Sequence, residues 1–301
     1  MKGLRAKILI NAAARGSFDE MLRRRLSEIF TDAGATADIA IASTPDEVRK
    51  IAETAATDNW DLVVAGGGDG TVNLVASALI GTRKHLGVLP LGTLNHFAKD
   101  LRIPLDFEAA AQNLLSGSPL EIDVAEVNGR IFLNNSSLGL YPIIVREREK
   151  NERLGSGKWP AFAWAAIAAL RRYPFVDVRV TVEGTQLARR TPFVFVGNNH
   201  YLMERFDIGT RERLDRGELS LYITNRTGRA GLFLLAIRAL FGRLRDDKDF
   251  LAMRTAGVRI DTKSDRARVA LDGEFDILQT PLEYRVRPRT LSVIVPSVER
   301  K

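Results

Sequence analysis

Four glycines fall within five residues at Gly66-Gly67-Gly68-Asp69-Gly70, directly after the apolar run 61–65 and directly before residues 71–79, whose apolar spacing is helical. No other segment limits the fold so tightly. Without Cβ atoms the backbone turns sharply, and its N–H groups can lie close against a ligand. A strand that feeds a helix through such a turn is the core of a βα unit, and the positive end of the helix adds to the amides. The segment is therefore suited to hold a phosphate. Thr71 adds a hydroxyl, and Asp69 sits where a carboxylate holds Mg²⁺ beside phosphates, directly or through water. The competing reading is a turn that only permits a sharp bend, with Asp69 as a helix cap.

The surrounding pattern fits the βα reading. Residues 7–11, 37–42, 61–65 and 86–89 read as short buried strands, separated by amphipathic helical segments. Capping boxes at Ser17-Phe18-Asp19-Glu20 and Thr44-Pro45-Asp46-Glu47 open two of the helices, the second with proline in the first turn. Alternation of this kind predicts a parallel sheet with helices on both faces. After Val124 the period changes. Short alternating runs at 176–182, 193–196, 219–223, 258–261, 268–271, 282–286 and 291–295 predict an antiparallel sandwich, interrupted by helical segments at 160–172 and 230–245. The fold class is thus α/β: an N-terminal parallel-sheet domain over 1–124 and a C-terminal antiparallel β-sandwich domain over 125–301.

Charge separates the two parts as well. Residues 1–124 hold 13 Lys and Arg against 16 Asp and Glu, and the rest hold 31 against 21, so the net +7 arises wholly from the second part. A basic domain points to an anionic partner, a membrane surface or nucleic acid. Nothing in the chain resembles a recognition helix or a set of stacking aromatics, so no nucleic acid is expected. Cysteine is absent, which excludes disulfides, thiolate metal sites and a cysteine nucleophile. No apolar run approaches the roughly 20 residues that span a bilayer, and the first residues lead straight into a strand pattern with no signal peptide. These features predict a cytoplasmic protein, peripheral at the inner membrane surface.

A second loop, Leu89-Pro90-Leu91-Gly92-Thr93-Leu94-Asn95-His96-Phe97-Ala98, follows the next strand. Successive strands of a parallel sheet end on one edge, so both loops face one crevice, where Thr93 and Asn95 can offer neutral hydrogen bonds. The Walker, dinucleotide and protein-kinase signatures are missing. Gly155-Ser156-Gly157-Lys158 lacks the spacing and the preceding strand of a phosphate loop.

Residues Gly66–Asn73 and Pro90–Ala98 together resemble the diacylglycerol kinase catalytic domain, also found in sphingosine kinases and bacterial lipid kinases. The resemblance continues through Asn134-Asn135-Ser136-Ser137-Leu138-Gly139-Leu140, Gly197-Asn198-Asn199 and Leu271-Asp272-Gly273-Glu274, and spans almost the whole chain. It implies an ATP-dependent kinase acting with Mg²⁺ on a hydroxyl of diacylglycerol or a related membrane lipid, in a cleft between its two domains. It marks Gly67, Gly68, Asp69, Gly70, Thr71, Val72 and Asn73 as the ATP loop, with Thr93 and Asn11 as further nucleotide contacts. Glu274 is similar to the family's proton acceptor, although in some relatives the aspartate matching Asp69 has that role. Asp69, Asp272 and Asp215 are the candidate metal ligands.

The chain also departs from the family pattern. Asn11-Ala12-Ala13-Ala14-Arg15-Gly16 keeps only the asparagine and glycine of the first loop, and the usual threonine after the second strand has no match beyond Ser43 or Thr44. At Asp215-Arg216-Gly217 an arginine stands where bacterial members carry a second aspartate. Two rival readings remain: a non-catalytic nucleotide-binding or membrane-docking homologue, and a soluble-substrate kinase of the NAD type, which shares the Gly-Gly-Asp-Gly-Thr loop. For membrane contact the sequence offers residues 159–172, with Trp159 and Trp164, and residues 230–245, both apolar with basic ends.

Overall fold

The computed structural model describes residues 3–12, 20–139, 175–201, 203–204, 207–208, 211–224 and 250–297. The expected helices at 160–172 and 230–245, the loop at 155–158 and most of the Asn11–Gly16 loop lie outside the described residues. Two compact units form, one from Met1–Val124 with Pro288–Lys301 and the other from Ala125–Arg287.

The first unit runs β1 (Arg5–Asn11), α1 (Glu20–Asp32), β2 (Thr36–Ala42), α2 (Pro45–Thr57), β3 (Leu62–Gly67), α3 (Asp69–Leu79), β4 (His85–Pro90), α4 (His96–Asp100), α5 (Phe107–Ser116) and the first part of β5 (Ser118–Val127). The strands are ordered β2-β1-β3-β4, all parallel. Every residue of β3 is buried, as a central strand covered on both faces requires. On one face α2 packs against α3, and α1 packs against α5. Thr44 caps α2 through its hydroxyl, which accepts from the Glu47 N–H at 3.2 Å, while Glu47 reaches back to the Ser43 N–H at 2.7 Å. The Thr44 half is the capping box the sequence predicts, while Glu47 reaches one residue past the N-cap, to Ser43. The core holds Ala6, Ile8, Ile10, Leu26, Phe30, Val64, Leu89 and Leu114.

From β1 the chain steps outward to β2, then returns past β1 to β3. The direction of winding therefore reverses between β1 and β3. In open α/β sheets ligands bind outside the strand C-termini at such a reversal. Here those C-termini are Asn11 and Gly67.

The second unit adds β6 (Arg130–Phe132), β7 (Asn135–Gly139), β8 (Val176–Val182), β9 (Thr185–Thr191), β10 (Phe193–Asn198), β11 (Met203–Glu204), β12 (Asp207–Ile208), β13 (Leu219–Thr224), β14 (Phe250–Thr255), β15 (Gly257–Thr262), β16 (Arg266–Leu271), β17 (Glu274–Gln279) and the start of β18 (Leu282–Val295). One antiparallel sheet is ordered β14-β13-β10-β7-β16-β17. Facing it, β9, β8, β15 and residues 282–285 of β18 pair antiparallel. Leu138, Val194, Val196, Leu221 and Val269 from the first sheet meet Val178, Val180, Ile260, Leu282 and Tyr284 from the second in one apolar core. Hydrophobic alternation along the strands produces this sandwich. Tight hairpins close on Asn128-Gly129, Glu183-Gly184 and Asp272-Gly273, each pair with φ positive at both residues. Asn-Gly and Asp-Gly suit that turn because both residues tolerate the left-handed region.

The expected runs 282–286 and 291–295 are one strand, β18, and its second part belongs to the first unit. Ser292 and Val293 pair with His85 and Leu86 of β4 in parallel register. His85 Nδ1 and Ser292 Oγ lie 2.8 Å apart. The sequence places residues 288–301 with the sandwich because their alternation is a strand pattern, and a strand pattern does not name its partner.

Ile294 is 4% exposed and lies in the first unit's core. Ile294→Ala is expected to lower the unfolding free energy by about 2–5 kcal/mol, measured by urea denaturation. A variant as stable as the parent would mean that this returning segment is peripheral to the unit.

Candidate active site

In the first unit the glycine segment is divided differently from its sequence reading. Gly66 and Gly67 belong to β3, only Gly68 intervenes, and the helix begins at Asp69 rather than Thr71. Gly68 is the N-cap and brings no side-chain cap to α3. The first-turn amides thus project from the helix end with the positive pole behind them, an anion site made of main chain. Asn11, at the end of β1, donates from Nδ2 to the Thr71 hydroxyl at 3.0 Å. This bond spans the β1/β3 reversal and joins two of the predicted nucleotide contacts.

The second loop lies directly against the first. A Cβ on Gly92 would stand 2.4 Å from the Gly68 Cα and 2.7 Å from Asn95 Oδ1, and one on Gly67 would stand 2.4 Å from Thr71 Oγ1. Glycine is required at these points because backbone or a buried side chain already fills the space. The Leu91 N–H donates to the Gly67 carbonyl at 3.0 Å. Asn95, with φ of 51°, turns its side chain onto its own loop, accepting from the Gly92 N–H at 3.1 Å and donating to the Gly92 carbonyl at 2.9 Å and the Pro90 carbonyl at 3.2 Å. Its amide shapes the loop, where the sequence reading offers it to a ligand. Thr93 is exposed at the tip.

The Asp69 carboxylate accepts from the His96 N–H at 3.1 Å and the Phe97 N–H at 3.0 Å. It caps α4 across the gap, not its own helix. Each oxygen takes one amide, so lone pairs remain on a half-buried carboxylate. Val72 buries its side chain in the core and offers only main chain, and the Asn73 side chain accepts from the Ser77 hydroxyl at 3.3 Å.

The second unit gathers a polar cluster around the other motifs. The Asp272 carboxylate accepts from three backbone amides: Leu133 at 2.8 Å, Asn134 at 2.8 Å and Asn135 at 3.0 Å. Asn198 donates from Nδ2 to the Leu133 carbonyl at 2.9 Å, and the Asn199 Oδ1 accepts from the Arg216 N–H at 3.0 Å. Arg211, 2% exposed, donates to the carbonyls of Leu133 at 2.6 Å and Asn198 at 3.1 Å, and to Asn134 Oδ1 at 2.6 Å. Sequence reasoning missed Arg211, since a lone arginine carries no motif and its acceptors Leu133 and Asn134 lie 78 and 77 residues away. Glu274 opens β17 opposite Leu271, exposed and held at its position by the Asp272-Gly273 turn.

These contacts bear on the metal candidates. Asp215 has both oxygens in a fork with Arg213, at 2.8 and 2.7 Å, and a carboxylate so neutralised is a poor cation ligand. Asp272 spends its charge on three amides. Both carboxylates already have partners, and among the described residues no three His, Cys, Asp or Glu stand together to hold a cation. Asp69 does fit. Magnesium is usually held by one or two carboxylates and the phosphates it accompanies.

Comparison with known proteins agrees with this arrangement. Residues 5–127 match the family model described as the diacylglycerol kinase catalytic domain, and residues 143–295 match that of the YegS C-terminal NAD kinase beta sandwich-like domain. A diacylglycerol kinase of Bacillus subtilis (strain 168) is 26% identical over 298 residues, covering 97% of this chain and 96% of the relative. One of Staphylococcus aureus (strain JH9) is 25% identical over 304 residues, covering 97% and 93%. A crystal structure of a diacylglycerol kinase from Bacillus anthracis str. Sterne superposes with a TM-score of 0.70 at 21% identity, over 97% of this chain and 96% of the other. Another from the same organism gives 0.76 at 23%, over 97% and 95%. At these identities the solved structures speak for the fold.

The Gly68–Gly92 approach is directly testable. Gly92→Ala forces two main chains apart and is expected to cost about 1–3 kcal/mol. A Cβ on Gly68 meets the Gly92 Cα at 3.4 Å, an ordinary contact, so Gly68→Ala stays close to the parent. Urea unfolding that ranks the two variants equally would contradict the close approach.

Proposed function

Because the chain belongs to the diacylglycerol kinase catalytic-domain family, and is therefore a phosphotransferase, we propose that it transfers the γ-phosphoryl group of ATP to a hydroxyl of diacylglycerol or a related membrane lipid. The observation that carries this reading is the uncapped start of α3, where main-chain amides and a helix pole converge beside Asn11 and the Gly92 loop at the sheet's winding reversal. A nucleotide's phosphates are the ligand such a site suits best. In this reading Gly67, Gly68, Asp69, Gly70, Thr71, Val72, Asn73, Thr93 and Asn11 form the ATP side. Mg²⁺ carried by the phosphates neutralises charge on the transferring group when bound, and Asp69 is the residue of this chain that would hold it.

Glu274 supplies the acid–base chemistry. Its carboxylate takes the proton of the lipid hydroxyl as that oxygen bonds to the γ-phosphorus, and the bond from phosphorus to the β–γ bridging oxygen breaks, releasing ADP. The lipid is presented by a membrane, and the excess of Lys and Arg in residues 125–301 supports peripheral docking on an anionic surface. Among the described residues no helix is long and apolar enough to cross a membrane.

The defining experiment is transfer of radiolabelled phosphate from ATP, with Mg²⁺, onto a panel of diacylglycerol, monoacylglycerol, a sphingoid base and NAD. Lipid labelling is expected. Labelling of NAD alone would favour the soluble-substrate reading, to which the second matching family's description lends weight. No labelling of any acceptor would favour a non-catalytic homologue.

Glu274→Gln keeps the size and hydrogen-bonding shape of the side chain but cannot accept the proton. Lipid phosphorylation should fall about 10²–10⁴-fold, with nucleotide affinity nearly unchanged. A normal kcat would transfer the base role to Asp69.

A further inference from the structure

We propose that Arg211 is a positioning residue for this phosphoryl transfer, acting through the Leu133–Asn134 peptide on the Asp272-Gly273 turn that presents Glu274. The inference rests on the reading of Glu274 as proton acceptor. Its basis is one peptide group polarised from both ends. The Leu133 carbonyl accepts from the Arg211 guanidinium at 2.6 Å, and the N–H of the same peptide, on Asn134, donates to Asp272 Oδ1 at 2.8 Å. A buried cation and a half-buried anion thereby share one peptide group. Each strengthens the hydrogen bond made by the other, because charge at both ends aligns and enhances the peptide dipole.

The neighbouring contacts make the coupling rigid. Nη2 of Arg211 holds the Asn134 side chain at 2.6 Å, and Nη1 also reaches the Asn198 carbonyl at 3.1 Å. The guanidinium lies over the Tyr201 ring, 5.2 Å from its centroid. On the other side, Asp272 takes the amides of Leu133 and Asn135 as well, and its own N–H returns to the Asn135 carbonyl at 2.9 Å. Segment 133–135 is thus clamped between a planar cation and a carboxylate. The carboxylate belongs to the first residue of a two-residue turn, and the residue after that turn is Glu274. A guanidinium is needed here because its fork serves the Leu133 carbonyl and the Asn134 amide oxygen at once, and it stays charged when buried. An exposed glutamate on a hairpin has few constraints of its own. This chain of contacts supplies them, and misplacement on the ångström scale costs about 10²-fold in rate.

The test compares Arg211→Met, Arg211→Lys and Glu274→Gln, alone and combined, with kcat and nucleotide KM measured separately on folded protein. Arg211→Met is expected to lower kcat about 10–100-fold, with nucleotide KM within about twofold of the parent. In the Glu274→Gln background the same substitution should add little, since it positions a group that no longer works. If Arg211→Met fails to fold, Arg211→Lys decides: an ammonium cannot serve both acceptors in one plane, so kcat falls while KM holds. A normal kcat in a folded variant, a matching rise in nucleotide KM, or a full further loss in the Glu274→Gln background each overturns the proposal. Failure of the underlying reading looks different: Glu274→Gln is then fully active. In that case unfolding of Arg211→Met, Asp272→Asn and the double variant still reports whether the two charges are coupled.

Discussion

Gly92 passes so close to Gly68 that a side chain on Gly92 would strike the Gly68 main chain, and most of the first unit's site depends on this approach. Two βα turns that would otherwise be neighbours on a sheet edge become one object. The Leu91 N–H bonds to the Gly67 carbonyl, Asp69 caps the helix that follows the second turn, and Asn95 stiffens that turn from within. The first two contacts require the two main chains to be adjacent. The result is a set of amides fixed in direction before any ligand arrives. Such fixed dipoles stabilise charge better than mobile ones, because they need no reorganisation on binding.

Acidic residues divide into two kinds. Asp69 opens a helix and Asp272 a hairpin turn, and each accepts main-chain amides from a different segment of chain. Bonds of an ionised acceptor to amides are stronger than neutral ones, so single carboxylates can pin whole loops. Glu274 lies next to such a pinned turn and is itself exposed.

The sequence made much of this legible, for local reasons. A glycine run between an apolar strand and a helical repeat cannot be accommodated in many ways, and Thr44 caps its helix through the Glu47 N–H as read. The strands at 176–182, 193–198 and 219–224 carry enough apolar alternation to announce themselves. Residues 185–191 do not, because β9 is an edge strand with a polar face, and Thr-Gln-Leu-Ala-Arg-Arg-Thr reads as loop. Partnership was the harder matter. Asp69 lies 27 residues from His96 and Asp272 lies 139 from Leu133, and such pairings arise only after the fold has brought distant turns together. Arg211 was illegible for the same reason: its acceptors lie in segments far away in sequence. Arg213, a lone arginine with no motif, was passed over as well, although it occupies the Asp215 carboxylate in the loop that also carries Arg216.

The last strand has a consequence for the order in which the protein comes together on the ribosome. β18 pairs with β15 through residues 282–285 and with β4 through 292–293, so the first unit is completed by residues made after the whole second unit. Domains usually fold in the order of their synthesis. Here residues 1–124 emerge first yet keep the open side of β4 unpaired while residues 125–287 are translated. An exposed strand edge of that kind invites pairing with other chains. The nascent protein therefore carries its parallel-sheet half in an unfinished, adhesive form until almost the end of translation, and a ribosome stalled before residue 288 would release a chain whose sandwich is complete and whose parallel sheet still has an open edge.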